Sequence, residues 1–525
     1  MSWNSTRTDA PPRAGVPRAS EDVATRSGLR APHRVWHRLG RSIAGDIVLP
    51  DQDEYDAVRG TSDPRFDTAS PRAVVRCAVE EDVVHAVDFA RRWGIRAHVR
   101  AGGHCAIGSS TGPGLVIDLS PLSRTVVDGG SAWCAGGTLT GAFTAALDGH
   151  GRTVPTGRCA TVGVAGHTLG GGTGPTGRRH GFTLDSLTGA RVVLGDGRVV
   201  DCDADHHPDL FWALRGAGHA AFGVVTELSF RTRPTRPVTE FVLGWPADCR
   251  TRVLAAWQAW GPHAPDELST TATIAGAAAD SGGDGRSPVT VAGSWLGDPI
   301  GLEHLVDDLL AAVDRPPKAR TGTVRTRGDG APVPAVDGSP LVNGGFDTAN
   351  GSGVVLRRHE FFDRPLDAAA LNAVTAALDR GARPGEVRRL RLEAMGGAYD
   401  RSGRETAALA HHGALFGALS EFRPAPGGLA GCRTAQGALH DVLRPLSAGT
   451  AHPNYAAEER DDWRQAYHGT RHARLEEIRV RYDPDGVFGF PMAQAAAYRS
   501  SSDPGDAWRG SPAEDVSSAR PSGCR

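Results

Sequence analysis

The sequence predicts an α+β fold of two domains, and three observations predict it. Short apolar runs alternate with helical runs up to about residue 234. Beyond that point the strand-like runs "VTVAGSWLG", "VVLRRHEFF" and "RRLRLEAMGG" are separated by helical runs such as "PLDAAALNAVTAAL", which reads as a sheet covered by helices. The chain has 525 residues, too many for one simple core, and its 68 glycines and 35 prolines point to many turns and loop-built sites.

Taken in order, residues 1–38 read as a disordered tail with scattered arginines. Order begins near "SIAGDIVLPDQDEYDAVRG". The run "PRAVVRCAVEEDVVHAVDFARRWGIRAHVRAGG" then reads strand, helix, strand. Glu81 and Asp82 sit where a helix N-terminus favours acids, Val83, Val84, Val87 and Ala90 have core spacing, and Gly94 ends the helix. Further short strands carry the first domain, 39–234, to "FGVVTELSFRTRP". A second domain spans 235–450, and a closing segment, 451–495, reads as a helix ended by an Asp-Pro turn. Residues 496–525 read as another tail.

Composition excludes several roles. Net charge is −2, so no basic field calls for nucleic acid. No stretch approaches the roughly 20 apolar residues of a membrane helix, and the N-terminus lacks the apolar core of a signal peptide. The eight cysteines lie far apart with no C-x-x-C pair, which argues against a zinc ribbon or disulfide framework and for reduced thiols in the cytoplasm.

Two glycine-rich stretches carry the chemistry. "RAGGHCAIGSS" follows a strand but lacks both the Walker ending and the G-x-G-x-x-G spacing, and His104 with Cys105 alone cannot make a metal site. Taken alone it reads equally well as a turn or an anion cradle. "PTGRCATVGVAGHTLGGGTG", Pro155 to Gly174, adds a second loop whose glycines allow backbone to lie flat against a planar ligand. Each loop carries a candidate nucleophile.

These stretches, with "GLVIDLS", "GFTLDSL", "DLFWALRGAG" and "FGVVTELSF", and at the far end "NY" and "RYDPDGVF", resemble the FAD-linked oxidases of the berberine-bridge-enzyme-like type. The motifs occur in the family's order over some 450 residues, and rest on little between about 235 and 390. The resemblance implies a two-subdomain FAD-binding domain of the PCMH (vanillyl-alcohol-oxidase) type and a substrate domain with an antiparallel sheet. It implies covalent FAD, joined at the C8 methyl through His104 and at C6 through Cys159. An imidazole nitrogen or thiolate is the kind of nucleophile that adds to the electron-poor ring. By the same match Arg100, Ala101, Gly102, Gly103, Gly108 and Ser109 bind the pyrophosphate through their backbone. Thr161, Val162, Gly163, Gly166, His167, Gly171 and Gly172 line the flavin and phosphates, and Val225 meets the adenine side.

The resemblance further implies hydride transfer from an alcohol or C–H group of a small molecule, such as a sugar or natural product, with oxygen as acceptor and hydrogen peroxide as product. Tyr455 of "HPNY" is then the base, or alternatively a tyrosine packed under the flavin. In "RRLRLEAMGG", Leu390, Leu392 and Ala394 share one face; Arg389, Arg391, Glu393 and Met395 share the other. Glu393 and Met395 are expected at the flavin, Glu393 assisting Tyr455 or simply pairing with an arginine. Two departures stand out. His452 replaces a frequent tyrosine and is a base candidate of its own, and Arg471 replaces a flavin-holding asparagine.

Overall fold

The structure, a computed structural model, describes residues 33–219, 221–276, 289–325, 353–401, 406–411, 413–489 and 492. The first domain holds two sheets. In the first, Ala73–Arg76 and Ala97–Arg100 flank Leu115–Asp118 in parallel, with Asp46–Val48 antiparallel at the edge. The crossover between the first two is the helix Glu80–Arg92, whose Val83, Ala86, Val87 and Ala90 are buried on the sheet at the spacing of one helical face.

The carboxylate of Asp82 holds this corner. It accepts backbone N–H bonds from Ala44 (2.7 Å), Gly45 (3.0 Å), Ala78 (2.8 Å) and Val79 (3.2 Å). Asp82→Ala leaves those part-buried donors without their acceptor, and loss of about 1–3 kcal/mol is expected. The measurement is the first unfolding transition in urea; an unchanged midpoint would show that water replaces the carboxylate.

The second sheet of this domain is antiparallel, in the order Thr125–Asp128, Ser131–Ala135, Val224–Arg231, Leu187–Val193, Val199–Cys202. The second domain is a seven-stranded, wholly antiparallel sheet. Its order is Ala319–Arg325, Val238–Trp245, Val289–Trp295, Leu268–Ala275, Val387–Ala394, Phe416–Arg423, Leu356–Phe362. Helices Arg250–Trp260, Pro299–Val313, Ala368–Asp379 and Leu429–Leu443 cover one face, burying Trp257, Leu309, Val374 and Leu439 against Leu390 and Leu392. That leaves the other face for the first domain. Arg178 fastens the two: its buried guanidinium donates to the carbonyls of Pro262 (3.0 Å), Ala264 (2.6 Å) and Met395.

The closing segment runs back to the first domain, where Val487 O accepts from Ala97 N (3.0 Å) and Phe488 O from Arg96 (2.8 Å). Two expectations are corrected. Helix His33–Gly40 begins inside the segment read as a tail, because Trp36 packs on Phe89 with ring centroids 4.6 Å apart and Leu39 is also buried. The closing segment is not one helix: a wide turn at Arg464–His468 and a tight one at Gly469–Arg471 precede the helix His472–Tyr482. Residues 1–32 and 496–525, including Cys524, lie outside the described residues; the seven described cysteines are free. Among the described residues no helix is long and apolar enough to cross a membrane.

Candidate functional site

Both glycine-rich stretches meet in the first domain. A Cβ on Gly102 would stand 2.4 Å from Gly163 N and 2.5 Å from Thr161 O, so the loops touch backbone to backbone where only glycine fits. The nucleophiles converge as a result. His104 Nε2 lies 2.9 Å from Thr161 Oγ1, and Cys159 Sγ lies 3.5 Å from the same oxygen.

A cavity of about 430 Å³ opens between these loops and the bare face of the large sheet. Ala101, Gly102, Gly103, His104 and Ser109 line it from the first loop; Cys159, Val162, Gly163, Gly166 and His167 line it from the second, with Val225 beyond them. The residues fit a large planar group with a phosphate tail. Glycine backbone forms the cradle, and on the same wall the Ser110 hydroxyl is buried without a protein partner, as a donor to a ligand rich in acceptors would be; His98, whose Nδ1 donates to Ser109 O (3.3 Å), presents Nε2 beside it as an acceptor.

Five expected cofactor contacts do not line the cavity. Arg100 is turned beneath the loop, its guanidinium bonded to the carbonyls of Val58, Arg59 and Gly60 and to Asp118 (3.0 Å). Gly108 lies against Phe66, whose ring would be 2.4 Å from a Cβ there. Thr161 sits between the two nucleophiles. Gly171 and Gly172 are behind the wall, where Gly172 N donates to Asn454 Oδ1 (3.1 Å).

Asn454 was missed by sequence reasoning, although it is half of the "NY" motif. Its amide also donates to Gly166 O (3.1 Å), so it bolts the closing segment to the second loop and thereby places Tyr455 on the cavity. His452 helps from beneath rather than at the cavity. Its Nδ1 accepts from Asn454 N (3.2 Å), its own N–H donates to His359 (3.2 Å), and its ring packs among Phe182, Phe361 and Tyr455. Burial, with His167 and His219 nearby, pulls it down to about 3. A neutral ring with its basic nitrogen already engaged caps the turn Pro453–Tyr455; it does not face a reactant.

The sheet supplies the other wall. Arg391 and Glu393 from Val387–Ala394 face the cavity with Thr271, Glu421 and Arg357 from neighbouring strands. Met395, expected beside Glu393, is buried instead with Phe182, Phe361 and Leu409. The strand ends at Ala394, and the alternation ends with it. Tyr399, unforeseen, lines the cavity and reaches Gly174 O at 3.4 Å.

Arg391 is the centre of this wall. Its buried positive charge acts on Tyr455, Glu393 and Glu421 at once, and Thr173 lies beside Tyr455 on the same cavity. Burial raises the Tyr455 pKa above the ordinary phenol value, and the Arg391 charge works against that rise. Burial raises Glu393 as well, again opposed by Arg391. Glu421 moves the other way: burial would lift it, but Arg391 and Arg357 (3.2 Å) hold it below the usual carboxylate value.

Comparison with known proteins agrees with this geometry. Residues 71–203 match the family described as FAD binding domain, and residues 451–493 the family described as berberine and berberine like. An uncharacterized FAD-linked oxidoreductase of Bacillus subtilis, YgaK, is 27% identical over 467 residues, covering 87% of this chain and 98% of its own. A chitooligosaccharide oxidase of Gibberella zeae is 27% identical over 454 residues, covering 81% and 87%. The solved glucooligosaccharide oxidase of Acremonium strictum, described with a 6-S-cysteinyl, 8α-N1-histidyl FAD, superposes with a TM-score of 0.73 over 85% of this chain and 96% of its own, at 24% identity. The two matched families sit on the two parts of the chain that meet at Asn454. The chain is an FAD-linked oxidoreductase of the berberine-bridge-enzyme-like family.

Proposed function

We propose that the chain oxidises an alcohol or activated C–H group of a small hydroxylated molecule, with FAD bonded to both His104 and Cys159 and molecular oxygen as acceptor. The observation that carries this reading is one cavity bearing two nucleophiles that share Thr161, and a tyrosine lining the same cavity as a buried arginine whose charge acts on it. The bound flavin supplies the two-electron acceptor for hydride. Tyr455 takes the substrate's hydroxyl proton, and Arg391 stabilises the phenolate that does so. Glu393, and Thr271 directly across the strand pair from it, accept and donate to neighbouring hydroxyls. Such a wall suits a sugar-like molecule, as the activities named for the chitooligosaccharide and glucooligosaccharide oxidases also suggest. Nothing in the reading needs a nucleic acid, a membrane or a metal, and a cytoplasmic setting suits its free thiols.

Acid precipitation of the purified protein, peptide mapping and an oxygen-electrode screen of sugars test the reading together. Yellow pellet, FAD mass on the His104 and Cys159 peptides, and peroxide released with oxygen uptake support it. Flavin reduced by substrate without oxygen uptake means a dehydrogenase with another acceptor. Flavin that no alcohol reduces means a binding protein without this activity.

The pH profile gives a further prediction. If phenolate is the active form, kcat/KM rises with pH, because burial keeps Tyr455 protonated at neutrality. Arg391→Met removes the charge that opposes that rise, so the rising limb moves to higher pH. Below the limb, the rate falls about tenfold for each pH unit of movement. A limb that stays in place would remove Arg391 from the proton transfer.

A further inference from the structure

Each nucleophile's loop is held by an arginine–glutamate pair reaching from a distant part of the chain. On the His104 side, Arg65 in the turn Pro64–Phe66 donates to Ala106 O (2.8 Å), two residues beyond His104. The same guanidinium, 5% exposed, is gripped by Asp63 (2.7 Å) and by Glu458 (3.0 Å). Glu458 lies three residues after Tyr455, and its other oxygen receives Arg433 (3.4 Å) from the helix Leu429–Leu443. On the Cys159 side, Arg158 is the preceding residue. It pairs with Glu240, 2% exposed, and donates to Ser294 Oγ (3.0 Å). Glu240 and Ser294 are cross-strand partners in the large sheet. The two pairs share no residue and grip different loops.

A buried ion pair contributes little net stability, because desolvation offsets most of the attraction; its use is to fix one arrangement over others. Bond formation needs such fixing, since a displacement of about 1 Å lowers the rate of a positioned reaction about a hundredfold. We propose that Arg65–Glu458 positions His104, and Arg158–Glu240 positions Cys159, for separate attachment to the flavin. This rests on the doubly bonded reading above. In each attachment one bond forms from the nucleophile, His104 nitrogen or Cys159 sulfur, to a flavin carbon. One hydrogen leaves the nucleophile and one leaves that carbon; these two protons and two electrons end on molecular oxygen, the oxidant, as hydrogen peroxide.

The test uses the full chain, prepared without flavin, given FAD in air and sampled over time for FAD mass on each peptide. Glu458→Gln is expected to slow attachment at His104 tenfold or more and leave Cys159 within about twofold, and Glu240→Gln to do the reverse. Glu458→Asp and Glu240→Asp keep the charge, and recovery of the affected link in them supports positioning. They also replace any glutamine variant that fails to fold. Both links slowing together in each variant, or neither slowing, overturns the proposal while leaving the doubly bonded reading intact. A wild-type chain lacking one or both links overturns that reading, and with it the corresponding pair's assignment.

Discussion

Tyr455→Phe is expected to lower kcat by about 10²- to 10⁴-fold, the range that general-base catalysis contributes, with little change in KM. The change removes one oxygen and keeps the ring, which stacks on His359 at 5.7 Å with 16° between planes. The contacts that seat this turn belong to Asn454 and His452 and are untouched. Flavin content should therefore match wild type, read from the ratio of flavin to protein absorbance. The loss should appear in stopped-flow reduction of the flavin by substrate under nitrogen. In the same variant the rise of kcat/KM with pH should flatten, because the group that ionises is gone. A kcat within about threefold of wild type would transfer the base role to Glu393, which burial raises, rather than to Glu421, which Arg391 and Arg357 hold below the usual carboxylate value. Loss of flavin together with activity would instead make Tyr455 a packing residue.

How much of this was legible in the sequence depended on range. The two loops could be read because their chemistry is local: glycines where backbone must close on a ligand, and a nucleophile on each. Their mutual contact at Gly102 and Gly163 could not, since nothing in either stretch says which backbone it will meet. Alternation placed Arg391 and Glu393 on one strand face correctly with respect to Leu390 and Leu392, which are buried under the helices. It then overran the strand by one residue and put Met395 on that face too. The importance of Arg391 over Arg389 was invisible, because it comes from Glu421 and Tyr455, which belong to another strand and to the closing segment. His452 shows the opposite error. A histidine three residues from the expected base looks reactive by type, yet backbone donors and burial decide what it does, and both make it a neutral cap. Arg65 and Glu458 are 393 residues apart, beyond any pattern of spacing.

The contact between the two loops carries the other large expectation. Gly102→Ala should strip the purified protein of most of its flavin. The added Cβ would lie 2.4 Å from Gly163 N, 2.5 Å from Thr161 O and 3.1 Å from the Val162 carbonyl carbon, all of them backbone. No side chain can swing aside to make room, and the second loop is pinned by its own bonds. Gly157 N donates to His167 (3.0 Å), Thr140 N to Val162 O (2.8 Å) and Gly141 N to Ala160 O (2.9 Å). The loops must therefore part. Overpacking of this kind costs about 1–3 kcal/mol, and 1.4 kcal/mol is a factor of ten in affinity, so free FAD should bind roughly ten- to a hundredfold more weakly. Parting the loops also draws His104 and Cys159 away from their common contact at Thr161, so attachment should fail even when FAD is supplied in excess. Gly149→Ala is the control: it lies off the cavity, in the helix Thr140–Gly149, and a Cβ there meets nothing within 4 Å. Titration of flavin-free protein with FAD, followed by tryptophan quenching, separates the two. Equal affinity in both variants would mean that the loops are not the rigid cradle their contacts describe.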